Sequence, residues 1–330
     1  MAAIDDIRYF ILRQLLLLKN DPFPWSKFVV LSPTDDEFGL TKQQLLAHPQ
    51  IIELVQRLKD PELGIESFHH LPADFRIYNS FYWTLRFMSD VGVSANELGI
   101  APQIRVLLLQ QSESGQFILR YHASKQHSIE LVCMTAHLAD CLSGLGYQHS
   151  PAVEAALSYL LSSQRYDGGW SCERLRQRGE KAETETSCPA ATIFAIRLLG
   201  RFACQFCSVA EPAIDLFRKG FSSRSDFNCR YCAPNNFNPN KLRYPPHYSG
   251  LDVLNIVDTL SLYPELSRGQ MFEQLVLPVL ERWNGDNLLT SQKRIAGWGD
   301  FDFAHNQRQS SWISALFVRA LSRVYLSDNN

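Results

Sequence analysis

Apolar residues recur along this chain at spacings of three and four, the mark of helices that bury one face. Between 153 and 163 they fall at Val153, Ala156, Leu157, Leu160 and Leu161. The period breaks at Asp167-Gly168-Gly169, where paired glycines supply the left-handed geometry that stops a helix. Trp170 follows as a large apolar side chain able to pin the turn to the body. Read along the whole chain, the spacing predicts eleven helices. One set, 4–18, 78–91, 129–145, 188–203, 248–262 and 310–325, includes runs apolar on most faces, such as Phe81-Tyr82-Trp83-Thr84-Leu85. Helices of that kind belong inside. The other set, 43–58, 98–112, 151–164, 209–222 and 269–283, is two-faced and belongs outside. No strand pattern is evident, so the expected class is all-α.

The helix ends repeat. Gly92, Gly146 and Gly200 each follow an apolar run, stand 54 residues apart and take the place of a glycine that closes a helix. Gln111 to Gly115 and Gln164 to Gly168 share the pattern Gln-x-x-x-Gly, 53 residues apart. Degenerate relatives occur at Asp60-Pro61-Glu62-Leu63-Gly64 and Asn284-Gly285-Asp286. A period of this size means stacked helix pairs, so residues 1–330 read as one domain in which 4–18 and 310–325 meet.

Composition and charge narrow the partners. At 45% hydrophobic and 12% aromatic residues, the 330-residue chain can fill a large core. Its net charge of −2 and lack of a basic run argue against nucleic acid, whose phosphates require concentrated positive charge. The longest apolar segment, Ile11 to Leu18, is interrupted by Arg13 and Gln14 and is too short to span a bilayer. Met1 to Asp6 lacks the basic start of a signal peptide. Eight cysteines in that context point to reduced thiols and a cytoplasmic setting.

Several segments carry a resemblance over nearly the whole chain. They are Ile7 to Arg13, Cys133-Met134-Thr135, the turn Gln164 to Trp170 with Ser171-Cys172, Tyr244-Pro245 followed by Asp252, and Ser311-Trp312-Ile313. Together they resemble the α/α-toroid superfamily of squalene cyclases and protein prenyltransferases, and within it a small prenyltransferase-like bacterial branch. The resemblance implies an α/α toroid (barrel) of six inner and five outer helices around a central cavity. It also implies an enzyme, cyclase, lyase or transferase in type, acting on an apolar, isoprenoid-like substrate. Two departures matter. The Asp-x-Asp-Asp acid of class II cyclases is absent, Asp300-Phe301-Asp302 lacking its third carboxylate, and no Asp-Asp-x-x-Asp diphosphate motif occurs. The Asp-Gly-Gly-Trp turn speaks for the fold and says little about the reaction.

Helix pairing sorts the polar residues by end. Cys133, Cys172, Cys188, Cys229, Cys232, His247, Asp252, Asp302 and His305 fall toward the end where inner helices begin, and Cys204 and Cys207 toward the other. Cys204-x-x-Cys207 and Cys229-x-x-Cys232 have near-zinc-ribbon spacing, but a helix about 20 Å long at 1.5 Å per residue separates the pairs. The better zinc set is Cys133, Cys172 and Cys188, with His247 as a fourth candidate, because three protein ligands leave a position for water or substrate. The resembling branch has cysteines matching those three. The plain alternative is three small side chains in helix-packing sites. His137 and Cys141 share the face of Cys133, and are either a metal site or reactive pair one turn deeper or, on the favoured reading, a satisfied core histidine beside an apolar cysteine.

Asp252, at the head of an inner helix, is a general acid or base, or a helix-end charge. Asp302 and His305 lie in the loop Gly297 to His305, a lid over the site or a passive connection. Phe81, Tyr82, Trp83, Tyr248 and Trp312 are candidate substrate-binding rings, since a π-face stabilises a carbocation without offering a nucleophile. Core packing accounts for them equally well. Glu173 to Thr186 is charged and poor in apolar residues, and reads as an excursion at the same end. A second functional class stays open: a non-catalytic toroid that binds a hydrophobic ligand or a protein partner, its metal structural or absent.

Overall fold

The computed structural model describes residues 2–62, 64, 80–120, 128–172, 187–223, 242–246, 251–285 and 287–326. His247, Tyr248, Cys229, Cys232 and the segment 173–186 lie outside the described residues. The described chain is helical: α1 (Ala2–Lys19), α2 (Pro24–Phe28), α3 (Phe38–Ala47), α4 (Pro49–Lys59), α5 (Phe81–Val91), α6 (Ala101–Leu108) and α7 (Val132–Leu142) come first. They are followed by α8 (Pro151–Ser163), α9 (Pro189–Gly200), α10 (Cys207–Ser223), α11 (Val253–Leu260), α12 (Pro264–Ser267), α13 (Gln270–Leu280) and α14 (Ser311–Tyr325). The all-α class and each of the eleven predicted helices are present.

Three local expectations are corrected. The helix placed at 43–58 is two helices, because Pro49 forces His48 out of the helical region, to φ −70° and ψ 130°. A two-stranded antiparallel ribbon, β1 (Ile118–Arg120) and β2 (Ser128–Glu130), appears where no strand was expected. Three residues per strand are too few for a period of two to show. Gly92 and Gly146 close their helices in the left-handed region, at φ 88° and 95°, but Gly200 remains in α9, whose C-cap is a right-handed Arg201.

Contacts divide the chain into two units, one from residues 1–52, 237–247 and 251–330, the other from 53–236 and 248–250. In the first, α1 packs along α14, bringing the first and last long helices together, and α11 also packs on α14. In the second, α5, α7 and α9 form the buried layer, with every residue of α5 and of α9 buried. Outer helix α8 packs on α7 and α10 on α9.

The repeat is visible atom by atom. Gln111 Nε2 donates to Gly115 O at 2.8 Å and to Ala152 O at 2.7 Å. Gln164 Nε2 donates to Gly168 O and Val209 O, both at 2.8 Å. Each glutamine thus ties its own turn to the next outer helix. A hydroxyl in the first turn of the following inner helix accepts from the turn's far side: Phe117 N to Thr135 Oγ1 at 3.1 Å, and Trp170 N to Thr192 Oγ1 at 3.2 Å. In the other unit Leu289 N donates to Ser314 Oγ at 2.7 Å in the same way. Gly168 is required twice, by its φ of 92° and by a close approach that would put a Cβ 2.8 Å from the Pro212 carbonyl carbon. Gly168→Ala is expected to destabilise by about 2–4 kcal/mol, the sum of left-handed strain and overpacking. Urea unfolding should show a lower midpoint at unchanged slope.

Charges lie inside the second unit's buried layer. Asp90 Oδ2 accepts from Arg86 Nε at 2.6 Å and Asp90 Oδ1 from Arg197 Nη2 at 2.7 Å. Asp140 of α7 accepts from Arg197 Nε at 3.0 Å and Arg201 Nε at 2.6 Å. In the first unit Asp258 of α11 pairs with Arg319 at 3.3 Å and Arg323 at 3.1 Å, both on α14. Such pairs recover their desolvation cost only in good geometry, and they fix which helix faces which.

Candidate functional site

The predicted cysteines gather at one end of the second unit. His137 of α7 packs edge-on to Phe194 of α9 at 5.3 Å, and Asp140 pairs with Arg197 three residues further along each helix. The two helices are therefore parallel, and Cys133 and Cys188 share their starting end. Cys188 is the N-cap of α9, and its N–H donates to Trp170 O at 2.7 Å, which brings Cys172, two residues on, to the same end. Asp167 completes the arrangement by accepting from Ser187 N at 2.9 Å and Ser187 Oγ at 2.6 Å. Trp170 is fully buried and donates from Nε1 to Leu160 O at 2.9 Å. The turn that breaks the helical period thus sets the position of Cys172 and Cys188. Among the described residues, however, no group of three or more His, Cys, Asp or Glu side chains is placed to hold a metal ion. Cys133, Cys172 and Cys188 share an end without forming a three-ligand set, and His247 lies outside the described residues.

Deeper in the same layer, His137 Nε2 sits 3.4 Å from Tyr82 O and 3.8 Å from Cys141 Sγ, with the Trp83 ring at 5.1 Å. Burial, aided by the Arg86 guanidinium, holds His137 down to about 4, against the opposing influence of Asp140 and Asp90. The Cys141 thiol is pushed far up, first by burial and then by Asp140. Neither is poised for catalysis at neutral pH, as the core reading anticipates. Phe81, Tyr82 and Trp83 are buried, the first two with ring centroids 4.0 Å apart.

His137 has a consequence for pH. Its folded pKa lies below the unfolded value of 6.5, so the stabilisation from its neutral form is complete above 6.5 and lost as pH falls toward 4. Stability should fall by about 3 kcal/mol across that window, and His137→Gln should remove that part of the slope in chemical denaturation at stepped pH.

The carboxyl candidates lie in the first unit. Asp252 is the N-cap residue of α11, and its Oδ1 pairs with Arg243 Nε at 2.6 Å, both side chains buried. Asp302 opens the short 3₁₀ turn Asp302–Ala304. Its Oδ1 accepts from Phe303 N at 2.9 Å, and its Oδ2 from Ser311 Oγ at 3.0 Å and Trp312 N at 3.1 Å. It therefore satisfies donors in the first turn of α14, where the helix dipole favours negative charge.

Asp21 lies close enough to Asp302 to feel its charge, and its Oδ1 accepts from Phe23 N at 2.8 Å. Ser311 Oγ lies 2.9 Å from Ser26 Oγ as well. Burial is the largest influence raising both carboxyls; hydrogen bonds oppose it, and the charge of Asp302 raises Asp21 further. Around them lies a set of rings. Trp25 is 5.2 Å from Phe301, Trp298 is 5.4 Å from Phe303, and Tyr244 meets Phe303 at 5.1 Å and Trp312 at 5.5 Å. His305 is half-buried just past the turn. A carboxyl kept neutral among apolar groups can donate a proton, and ring faces can stabilise the positive charge that results.

No family model and no curated protein matches the chain. Solved structures of a type II terpene cyclase, MstE from Scytonema, are similar in fold. A variant in complex with geranylgeranyl dihydroxybenzoate aligns at a TM-score of 0.46 and 10% identity over 98% of this chain and 99% of that one. An unliganded variant gives 0.45 at 10% identity, over 98% and 99%. Unliganded MstE itself gives 0.41 at 10% identity, over 97% and 98%. Among the described residues no helix is long and apolar enough to cross a membrane.

Two residues of the carboxyl site escape a reading of the sequence. Asp21 sits in a connection outside every repeat marker, and its only signal is Asp21-Pro22-Phe23-Pro24, an aspartate that accepts from the backbone two residues on. Arg243 carries no pattern that would pair it with Asp252.

Proposed function

We propose that this chain is an enzyme acting on an apolar, isoprenoid-like small molecule through proton-initiated chemistry, with Asp302 as the proton donor. The observation that carries the reading is the Asp302 carboxyl, raised toward its neutral form by burial at the start of α14 among Trp298, Phe301, Phe303 and Trp312. Its O–H bond breaks as the proton forms a C–H bond with one carbon of a carbon–carbon double bond, leaving a carbocation at the other carbon and the electron pair on the Asp302 carboxylate. Phe303 N, Ser311 Oγ and Trp312 N already point at that carboxylate and stabilise it as the proton departs. Trp312 and Tyr244 offer ring faces to the cation. Asp21, its carboxyl also raised by burial, is the candidate to supply the next proton. Asp252, its charge matched by Arg243, holds residues 242–246 to the head of α11, and His305 is the candidate to take up the proton the cation loses. The reading requires no metal on Cys133, Cys172 and Cys188.

One observation favours a second reading. The bonds accepted by Asp302 are also those of a helix-terminus tether, which suits a non-catalytic body that binds a hydrophobic ligand. Farnesol and geranylgeraniol are the probes. Both readings expect concentration-dependent stabilisation in thermal unfolding, about 2.7 kcal/mol at a hundredfold excess over Kd. Only the enzyme converts either alcohol to an isomerised or cyclised product. Absence of any stabilisation by either alcohol contradicts both.

A further inference from the structure

Of the ten large apolar side chains that stand exposed among the described residues, four lie on α1. Ile7, Phe10, Ile11 and Leu18 fill its buried face, whereas Tyr9, Leu12 and Leu16 are 57%, 63% and 53% exposed. Those three positions follow at i, i+3 and i+7 and make one stripe along the helix. Water-facing stripes of this kind mark contact surfaces.

The charges along the stripe indicate what covers it. Asp5 stands seven residues before Leu12 and Lys19 seven after, each two turns away on the same face, and both are exposed. We infer that α1 is a homodimer interface, in which two copies lie antiparallel with Leu12 on the two-fold axis. Asp5 then meets Lys19 of the partner subunit, and Lys19 meets the partner's Asp5. Tyr9, three residues before the axis, packs beside the partner's Leu16, four after it. A parallel arrangement would set Asp5 against Asp5 and Lys19 against Lys19, so the charge order selects the antiparallel one. A two-fold contact uses the same patch on both copies and closes on itself. The acid at the start of α1 and the base at its end also suit the helix dipole.

Sedimentation equilibrium of the whole chain tests this. The wild type should weigh twice the chain's 37.7 kDa, and Leu12→Asp, which sets like charges together at the axis, should weigh 37.7 kDa. Circular dichroism and an unchanged melting temperature verify that Leu12→Asp is folded. Asp5→Lys should raise the dissociation constant roughly tenfold, since two opposite-charge pairs become two repulsive ones. Adding Lys19→Asp should restore it. A wild type that stays at monomer mass at every concentration overturns the inference, as does a dimer untouched by Leu12→Asp. Failure of the double exchange to restore affinity overturns the antiparallel register.

Discussion

Asp140→Ala should remove about 3–5 kcal/mol of stability, among the largest losses from any single substitution in this chain. Asp140 is buried at the meeting of α5, α7 and α9, with Arg197 and Arg201 bonded to its carboxylate and Arg86 4.0 Å away. Burial alone would raise its pKa; Arg201, Arg197 and Arg86 together hold it well below the usual carboxylate range. Removing the carboxylate takes an acid from three guanidinium groups, of which Arg86 and Arg197 are buried and keep their pairing with Asp90. Uncompensated buried charge, more than the lost bonds, produces the cost. Guanidinium chloride unfolding should report it as a lower midpoint. Because the folded pKa of Asp140 is depressed, its contribution is present above the unfolded value of 3.8 and lost as pH falls below it. The difference between wild type and Asp140→Ala should therefore shrink on acidification below about pH 4.

That network explains why part of the fold was easy to read and part was not. The helix boundaries follow from apolar spacing and glycine placement, which are local, and α5, α7, α9, α11 and α14 fall where the spacing puts them. What pairs one helix with another is carried by Arg86, Asp90, Asp140, Arg197 and Arg201, isolated charges in runs otherwise apolar on most faces. Their presence there was itself a signal, since charge in such a helix requires a partner. Arg86 and Asp90 pair within α5, but the bonds that join helices reach partners 57 to 107 residues away and obey no local period. The site divides in the same way. Asp302 was legible as a carboxyl beside tryptophan and phenylalanine in a loop. Ser26 meets Ser311 from nearly the full length of the chain, at a separation no spacing rule reaches. The cysteines illustrate the opposite limit: helix pairing assigns Cys133, Cys172 and Cys188 to one end, whereas the ~2.3 Å of a zinc–sulfur bond is finer than any spacing along the chain specifies.

Asp302→Asn should lower turnover of an isoprenoid substrate by at least 10²–10⁴-fold, the usual contribution of a positioned general acid. The substitution keeps the side chain's shape, and its one remaining oxygen can still accept from Ser311 Oγ and Trp312 N at the start of α14, while the bond from Phe303 N is lost. It removes the transferable proton. Asp21→Asn should act more mildly, slowing the return of the proton to Asp302 while leaving a single turnover nearly intact, because the first proton comes from Asp302. Burst kinetics separate the two: Asp302→Asn loses the burst, and Asp21→Asn keeps it and loses the steady rate.

The most direct measurement is turnover of a geranylgeranyl-bearing compound in deuterium oxide, followed by mass spectrometry and NMR of the product. Proton-initiated chemistry predicts an isomerised or cyclised product bearing one new carbon-bound deuterium with wild-type protein, and none with folded Asp302→Asn. A product without carbon-bound deuterium, or full activity in Asp302→Asn, would contradict the assignment of Asp302 as the acid.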